Sequence, residues 1–203
     1  MKIICIGRNY VEHAKELKNP VPKKPVFFLK PDTSLLIRNR PFFYPDFSED
    51  IHYELELVLK ICKNGKNIAE EFAPNYYKEI GLGIDFTARD LQQQAKERGL
   101  PWEIAKAFDQ SAAISEFVPL ESITNPEKIS FRLDLNGNTV QNGLSTDMIF
   151  HFNHLIAYVS KFMTLRAGDL LFTGTPEGVG PVKIGDKLEG YLEDKLLLAC
   201  EIR

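Results

Sequence analysis

Cysteine is scarce in this chain: Cys5, Cys62 and Cys200 are three in 203 residues, far apart and odd in number. That pattern supports neither a disulfide framework nor a cysteine-rich zinc site, and it makes the reducing cytoplasm the expected compartment. Long apolar runs are missing too. Leu155–Val159 and Leu196–Cys200 stop at about five residues, against roughly 20 for a membrane-crossing helix. The apolar start Ile3–Ile6 is cut by Arg8, too early for a secretion-signal core. No membrane partner is therefore expected. Positive charge is not in excess either, since 25 Lys and Arg face 28 Asp and Glu for a net charge of −3. A nucleic-acid partner is not expected on the same ground, because no basic excess exists to hold a phosphate backbone. No repeat, low-complexity tract or long linker divides the chain, so residues 1–203 read as one domain.

What is present reads as many short strands and few helices. Ile3–Ile6 and Val26–Lys30 have strand character, and Tyr10, Ala14 and Leu17 recur at helical spacing between them. The helix 10–17 is followed by Pro20, Pro22 and Pro25, which makes 10–25 a weakly amphipathic, proline-flanked segment that could move. Ile51 to Ile61 alternates, with Ile51, Tyr53, Leu55 and Leu57 on one face and His52, Glu54 and Glu56 on the other. Asn64-Gly65 and Asn136-Gly137 carry hairpin signals. Thr87-Ala-Arg-Asp90 resembles a capping box opening a helix to Gly99. Ser145 or Thr146 is expected to cap the longest helix, with Met148, Phe152, Leu155, Val159 and Phe162 as its buried stripe. Strands do not alternate with helices, so the expectation is a mixed, β-rich α+β domain with a few peripheral helices.

Several spacings could carry chemistry. Glu54 and Glu56 share a strand face, which alone reads as a solvated surface, and Asp85 ends a glycine-containing apolar strand, where a turn is the plain reading. If the three meet, they repel unless a cation joins them, and all-oxygen ligation selects Mg²⁺, Mn²⁺ or Ca²⁺ over zinc. His13 and Glu16, at i and i+3, could form a dyad in which the carboxylate orients the imidazole as a base, or lie side by side on the surface. Lys106 sits among apolar residues and could stabilise an oxyanion or snorkel to solvent. Arg89 and Gln92 could offer a carboxylate-binding fork, or an exposed helix face. Thr175 belongs to a glycine-rich loop without the Gly-Lys-Ser/Thr ending of a phosphate loop, and could lend a hydroxyl to a substrate. His151 and His154 have no third ligand in view, and Trp102 reads as a packing residue.

Taken in order, Gly7-Arg-Asn-Tyr-x-x-His13-x-x-Glu16, Phe28-Leu-Lys30-Pro, Glu54-x-Glu56, Asp85-x-Thr-Ala-Arg89-Asp-x-Gln92, Lys106 and Thr173-Gly-Thr175-Pro-x-Gly-Val-Gly180 resemble the short form of the fumarylacetoacetate hydrolase superfamily, in particular its acylpyruvase and oxaloacetate decarboxylase group. The resemblance implies a mixed β-roll, a homodimer, and Mg²⁺ (or Mn²⁺) held by Glu54, Glu56 and Asp85. It implies a catalytic dyad of His13 and Glu16 on a lid, a catalytic Lys106, and substrate contacts from Lys30, Arg89, Gln92 and Thr175. The expected reaction is hydrolytic cleavage of a carbon–carbon bond in a small 2,4-dioxo acid, an acylpyruvate. Oxaloacetate decarboxylation and keto–enol tautomerisation or isomerisation at the same site are the alternatives. A metabolite-binding module without turnover is the reading from another class, and it has no use for a base dyad.

Overall fold

Alternation from Ile51 to Ile61 produces two strands with a break at Glu54, and this break sets up everything that follows. The computed structural model describes residues 1–16 and 20–203. In chain order the elements begin with β1 (Ile3–Gly7), α1 (Val11–Glu16), β2 (Val26–Lys30) and β3 (Leu35–Leu36). Then come β4 (Ile51–Tyr53), β5 (Leu55–Ile61), β6 (Tyr77–Asp85), β7 (Thr87–Ala88), α2 (Arg89–Arg98) and α3 (Glu103–Lys106). The second half holds β8 (Ala112–Ile114), β9 (Val118–Pro119), β10 (Ser130–Leu135), β11 (Asn138–Leu144) and α4 (Phe152–Ser160). It closes with β12 (Leu170–Phe172), β13 (Gly180–Pro181), β14 (Lys187–Leu192) and β15 (Lys195–Glu201). The mixed, β-rich class expected from the pattern is what the chain adopts.

The central sheet runs β2-β1-β12-β5-β6-β8-β3, with β9 added on β6. It is mixed: β1 lies parallel to β12, whereas β5 pairs antiparallel with both β12 and β6. A second sheet, β11-β10-β14-β15, packs its apolar side onto the first, and a small third sheet, β13-β4-β7, lies beside the break at Glu54. Leu55, Leu57 and Leu59 enter the main core, while Val58, on the opposite face of the same strand, joins Ile3, Cys5, Leu170 and Phe172 in a smaller one. Strand β5 is thus covered on both sides. A polar side chain on either face is forced into the interior.

Several local expectations are corrected. The first helix starts at Val11 and is described to Glu16, so Leu17 lies outside the described residues, as does the middle of the 10–25 segment. Asn64-Gly65 is not a two-residue hairpin: β5 and β6 are joined through the 3₁₀ turn Glu70–Tyr76, and Gly65 bridges to Leu165 instead. Thr87 does not cap α2, because it is drawn into β7 and the N-cap position falls on Ala88. Ser145 and Thr146 belong to a 3₁₀ turn, and α4 starts only at Phe152, which leaves Phe162 beyond its end and 59% exposed. At nine residues α4 is shorter than α2, which has ten. The hairpin at Asn136-Gly137 forms as expected, with both residues at positive φ (52° and 80°) as its turn requires.

Candidate active site

Pairing of β5 with β6 places Glu56 opposite Gly83 and Leu55 opposite Ile84, so Asp85 at the end of β6 arrives beside the break. The Asp85 backbone N–H donates to the Glu54 carbonyl at 2.9 Å, locking the junction. Glu54, Glu56 and Asp85 each present a carboxylate oxygen within 4.8 Å of the others. The solvated-face reading of Glu54 and Glu56 is overturned, since Glu54 is 6% exposed and Glu56 and Asp85 only 1%.

Such crowding needs positive charge, and the chain supplies it. Lys106, at the end of α3, is buried and donates to Glu54 Oε2 and Asp85 Oδ2, both at 2.8 Å, and to the Thr87 hydroxyl. It does not snorkel. With its three N–H groups committed to these partners, it stands in the site wall as a fixed charge rather than as a free donor to a ligand. Burial works to lower its pKa, but Asp85 and Glu54 together outweigh that and hold it above the ordinary lysine value. Arg89 Nη2 donates to the other Glu54 oxygen at 2.6 Å, and Nη1 to Gln92 Oε1 at 2.8 Å. Burial alone would raise the Glu54 pKa; Lys106, Arg89 and His13 reverse this and hold the carboxyl well below its usual range. Lys30 is fully enclosed, 2.7 Å from Asp85 Oδ1, with its other contacts on Ser111 and the carbonyls of Phe86 and Lys106. It therefore stands behind Asp85 and is not among the residues that line the cleft, unlike the other substrate contacts that the resemblance implies.

Glu56 is treated differently. Among the described residues its one hydrogen-bond donor is the Gly174 backbone N–H at 2.6 Å. Burial, then the charges of Asp85 and Glu54, push its pKa well above the carboxylate range. Gly174 has φ of 99°, and a side chain there would put a Cβ 2.7 Å from that of Asn9, so glycine is required for this donor to reach Glu56. Asn9 in turn clamps the start of α1, donating to the carbonyls of Phe150 and Thr173 and accepting from the Phe150 N–H at 2.8 Å.

Above the carboxylates, His13 Nδ1 lies 3.2 Å from Glu16 Oε2, so the dyad forms as the spacing anticipates. The second Glu16 oxygen accepts from the Gly178 N–H at 3.1 Å, tying α1 to the glycine-rich loop. Thr175 is buried at the cleft wall and its hydroxyl accepts from Gln141 Nε2 at 2.8 Å. Gln141 also accepts from the Leu55 N–H, so it joins this loop to β5, a role no local motif signals. His13, Glu54, Glu56, Asp85, Arg89, Gln92, Lys106 and Thr175 all line one cleft. Arg8 and Lys96 line it as well, though no local motif marks them as site residues, and so does Trp102, which the sequence suggests only as a packing residue. His151 and His154 stay apart from it: His154 pairs with Glu70 at 3.0 Å and stacks on Phe150.

The donor set is three buried carboxylates, and one of them, Glu56, has like charges as neighbours and a single N–H as partner. Hard oxygen ligands in that state fit a divalent cation of the Mg²⁺, Mn²⁺ or Ca²⁺ kind.

The family model described as fumarylacetoacetate (FAA) hydrolase C-terminal matches residues 2–203. The chain belongs to the fumarylacetoacetate hydrolase family. Among relatives, this member is 46% identical over 187 residues to the mitochondrial oxaloacetate tautomerase FAHD1 of Arabidopsis thaliana, covering 92% of this chain and 84% of that one. It is 43% identical over 189 residues to the mitochondrial oxaloacetate decarboxylase of Dictyostelium discoideum, with 93% and 87% covered. The crystal structure of fumarylpyruvate hydrolase from Pseudomonas aeruginosa, in complex with Mn²⁺ and pyruvate, superposes with a TM-score of 0.94 at 36% identity, over 100% of this chain and 89% of that one. A fumarylacetoacetate hydrolase family member with such relatives is an enzyme, and its fold is that family's.

Proposed function

We propose that this enzyme interconverts the keto and enol forms of oxaloacetate or a closely similar 2-oxo dicarboxylate, with decarboxylation as a second outcome of the same enolate. The observation that carries this reading is the convergence of three buried carboxylates and a His–Glu dyad on one cleft. A divalent cation, Mg²⁺ with Mn²⁺ as a competent substitute, would be held by Glu54, Glu56 and Asp85 and would supply Lewis-acid polarisation of the 2-oxo carboxylate.

The chain's own residues account for the proton. Glu16 accepts from His13 Nδ1, which leaves the Nε2 lone pair as a base toward the cleft. His13 takes a proton from the carbon beside the ketone, and the electron pair moves onto the ketone oxygen. Returning the proton to that oxygen gives the enol; returning it to carbon gives the ketone. The fixed charges of Lys106 and Arg89 in a water-poor wall favour the negative charge that develops between these states. The Gln92 amide and the Thr175 hydroxyl are the neutral groups available to orient the substrate. Segment 10–25 would act as the lid, with the Glu16–Gly178 hydrogen bond as its closed contact.

Hydrolysis of an acylpyruvate is the second reading, favoured by the same dyad acting on water and by the likeness to the fumarylpyruvate hydrolase. Loss of oxaloacetate enol absorbance and release of pyruvate separate the outcomes. The expected result is enol loss that depends on Mg²⁺ or Mn²⁺ and stops with EDTA. His13→Ala should slow it about 100-fold or more while Mn²⁺ still raises the melting temperature. Enol decay at the uncatalysed rate, beside rapid cleavage of acetylpyruvate or fumarylpyruvate, would overturn the first reading for the second.

A further inference from the structure

Helix α2 presents Arg89, Gln92 and Lys96 at i, i+3 and i+7, and all three line the cleft. Lys96 is half-buried, with its ammonium 5.8 Å from the centre of the Trp102 ring. Arg8, held at φ of 60° just past the end of β1, lines the same cleft. The other cations of the site are spoken for: Lys30 faces Asp85, Arg89 faces Glu54, and Lys106 faces both. These three offset the three carboxylates in formal charge. Among the described residues neither Arg8 nor Lys96 pairs with a carboxylate, so they are surplus positive charge in the cleft. They also crowd one another, since burial and then the charges of Arg89 and Arg8 act against protonated Lys96. Cations left unpaired in a partly desolvated cleft are relieved by an anionic ligand, and there the attraction exceeds that of an exposed pair.

We propose that Arg8 and Lys96 form the subsite for the second, distal carboxylate of the substrate, so that the enzyme selects 2-oxo dicarboxylates over 2-oxo monocarboxylates of equal chain length. This rests on the reading above, in which the carboxylate triad marks the end that takes the 2-oxo acid group. Arg8 can grip a carboxylate with two parallel N–H groups, while Lys96 adds a compact charge that lies over the Trp102 ring. Neither residue touches Glu54, Glu56 or Asp85 through a hydrogen bond or ion pair, so the subsite is separable from the triad by mutation.

The test is calorimetric titration of the Mn²⁺-loaded protein with 2-oxoglutarate and with 2-oxopentanoate, five-carbon acids that differ only in the distal carboxylate. The wild type should bind the dianion about 10-fold more tightly or better, the effect of a charge-assisted contact. Lys96→Met and Arg8→Gln should each shrink that ratio to about threefold or less, with 2-oxopentanoate affinity unaltered, since each removes one such contact. Equal wild-type binding of the two acids overturns the subsite and leaves the 2-oxo acid reading intact. A preference that survives in both variants, or an equal weakening of both ligands, overturns it too. Wild-type protein that takes up Mn²⁺ yet binds neither acid overturns the parent reading as well.

Discussion

Glu56 is the residue on which the electrostatics of the site turn. Glu54 and Asp85 are each gripped by ammonium or guanidinium groups, whereas among the described residues Glu56 has only the Gly174 N–H. Its pKa in the folded protein lies above the ordinary value of 4.5, so the metal-free fold binds a proton there more tightly than the unfolded chain does. The resulting cost is absent below pH 4.5, grows as pH rises through the shifted pKa, and is complete above it. Glu56→Gln should therefore raise the melting temperature of the metal-free protein relative to wild type, by a margin that widens with pH. It should also abolish the rise in melting temperature on adding Mn²⁺, which in the wild type strengthens with pH as the metal displaces the proton. A thermal-unfolding series with and without Mn²⁺ checks both, and a margin that shrinks as pH rises would contradict the assignment. Much at this scale was legible. The Glu-x-Glu spacing, the aspartate at a strand end and the His–Glu pair could be read directly. Lys96 was within reach, four residues beyond Gln92 on the same helix face, whereas Arg8 and Gln141 carry no periodic signal. Lys30 reads as a substrate contact from its motif, but enclosure behind Asp85 is a property of packing.

At the scale of elements, the pairing of β5 with β6 and β12 decides whether the carboxylates meet. Gly83 faces Glu56 across the β5–β6 ladder, and a Cβ there would lie 2.4 Å from the Phe172 ring and 2.8 Å from Val58. Phe172 is fully buried and two residues from Gly174, the donor to Glu56. Gly83→Ala should thus cost about 1–3 kcal/mol by overpacking and also weaken Mn²⁺ binding, read by denaturant unfolding and by titration. Unaltered values for both would show that the ring can yield without disturbing Glu56. Strand identity was readable because alternation and β-branched content are local. Helix starts were misread at Thr87 and at Ser145, where β7 and a 3₁₀ turn claim residues with good capping side chains. In both places a tertiary demand on the backbone outweighs a cap of about 1 kcal/mol.

For the whole molecule, charge is distributed against its sum. The chain is net −3, yet Arg8 and Lys96, unpaired among the described residues, add positive charge to a cleft in which three carboxylates are already balanced. A divalent cation makes that cleft more positive still. Association of a dianionic substrate should then be steered by the local field and not by the net charge. Raising ionic strength from about 0.02 to 0.5 M should lower kcat/KM for oxaloacetate by roughly threefold, because the Debye length shrinks to a few ångströms. Steady-state rates in graded sodium chloride check this, and a rise with salt would place the net charge in control.

The β-rich class, the strand positions and the candidate carboxylates follow from the order of residues, because hydrophobic alternation, turn residues and side-chain chemistry are carried by near neighbours. Folding alone decided burial and company: which carboxylate received a cation, which lysine was shut behind the site, and which stayed unpaired at the cleft wall. The physical reason is that desolvation and Coulomb energy depend on what surrounds a charge in space, and residues more than a hundred positions apart, such as Glu56 and Gly174, supply those surroundings.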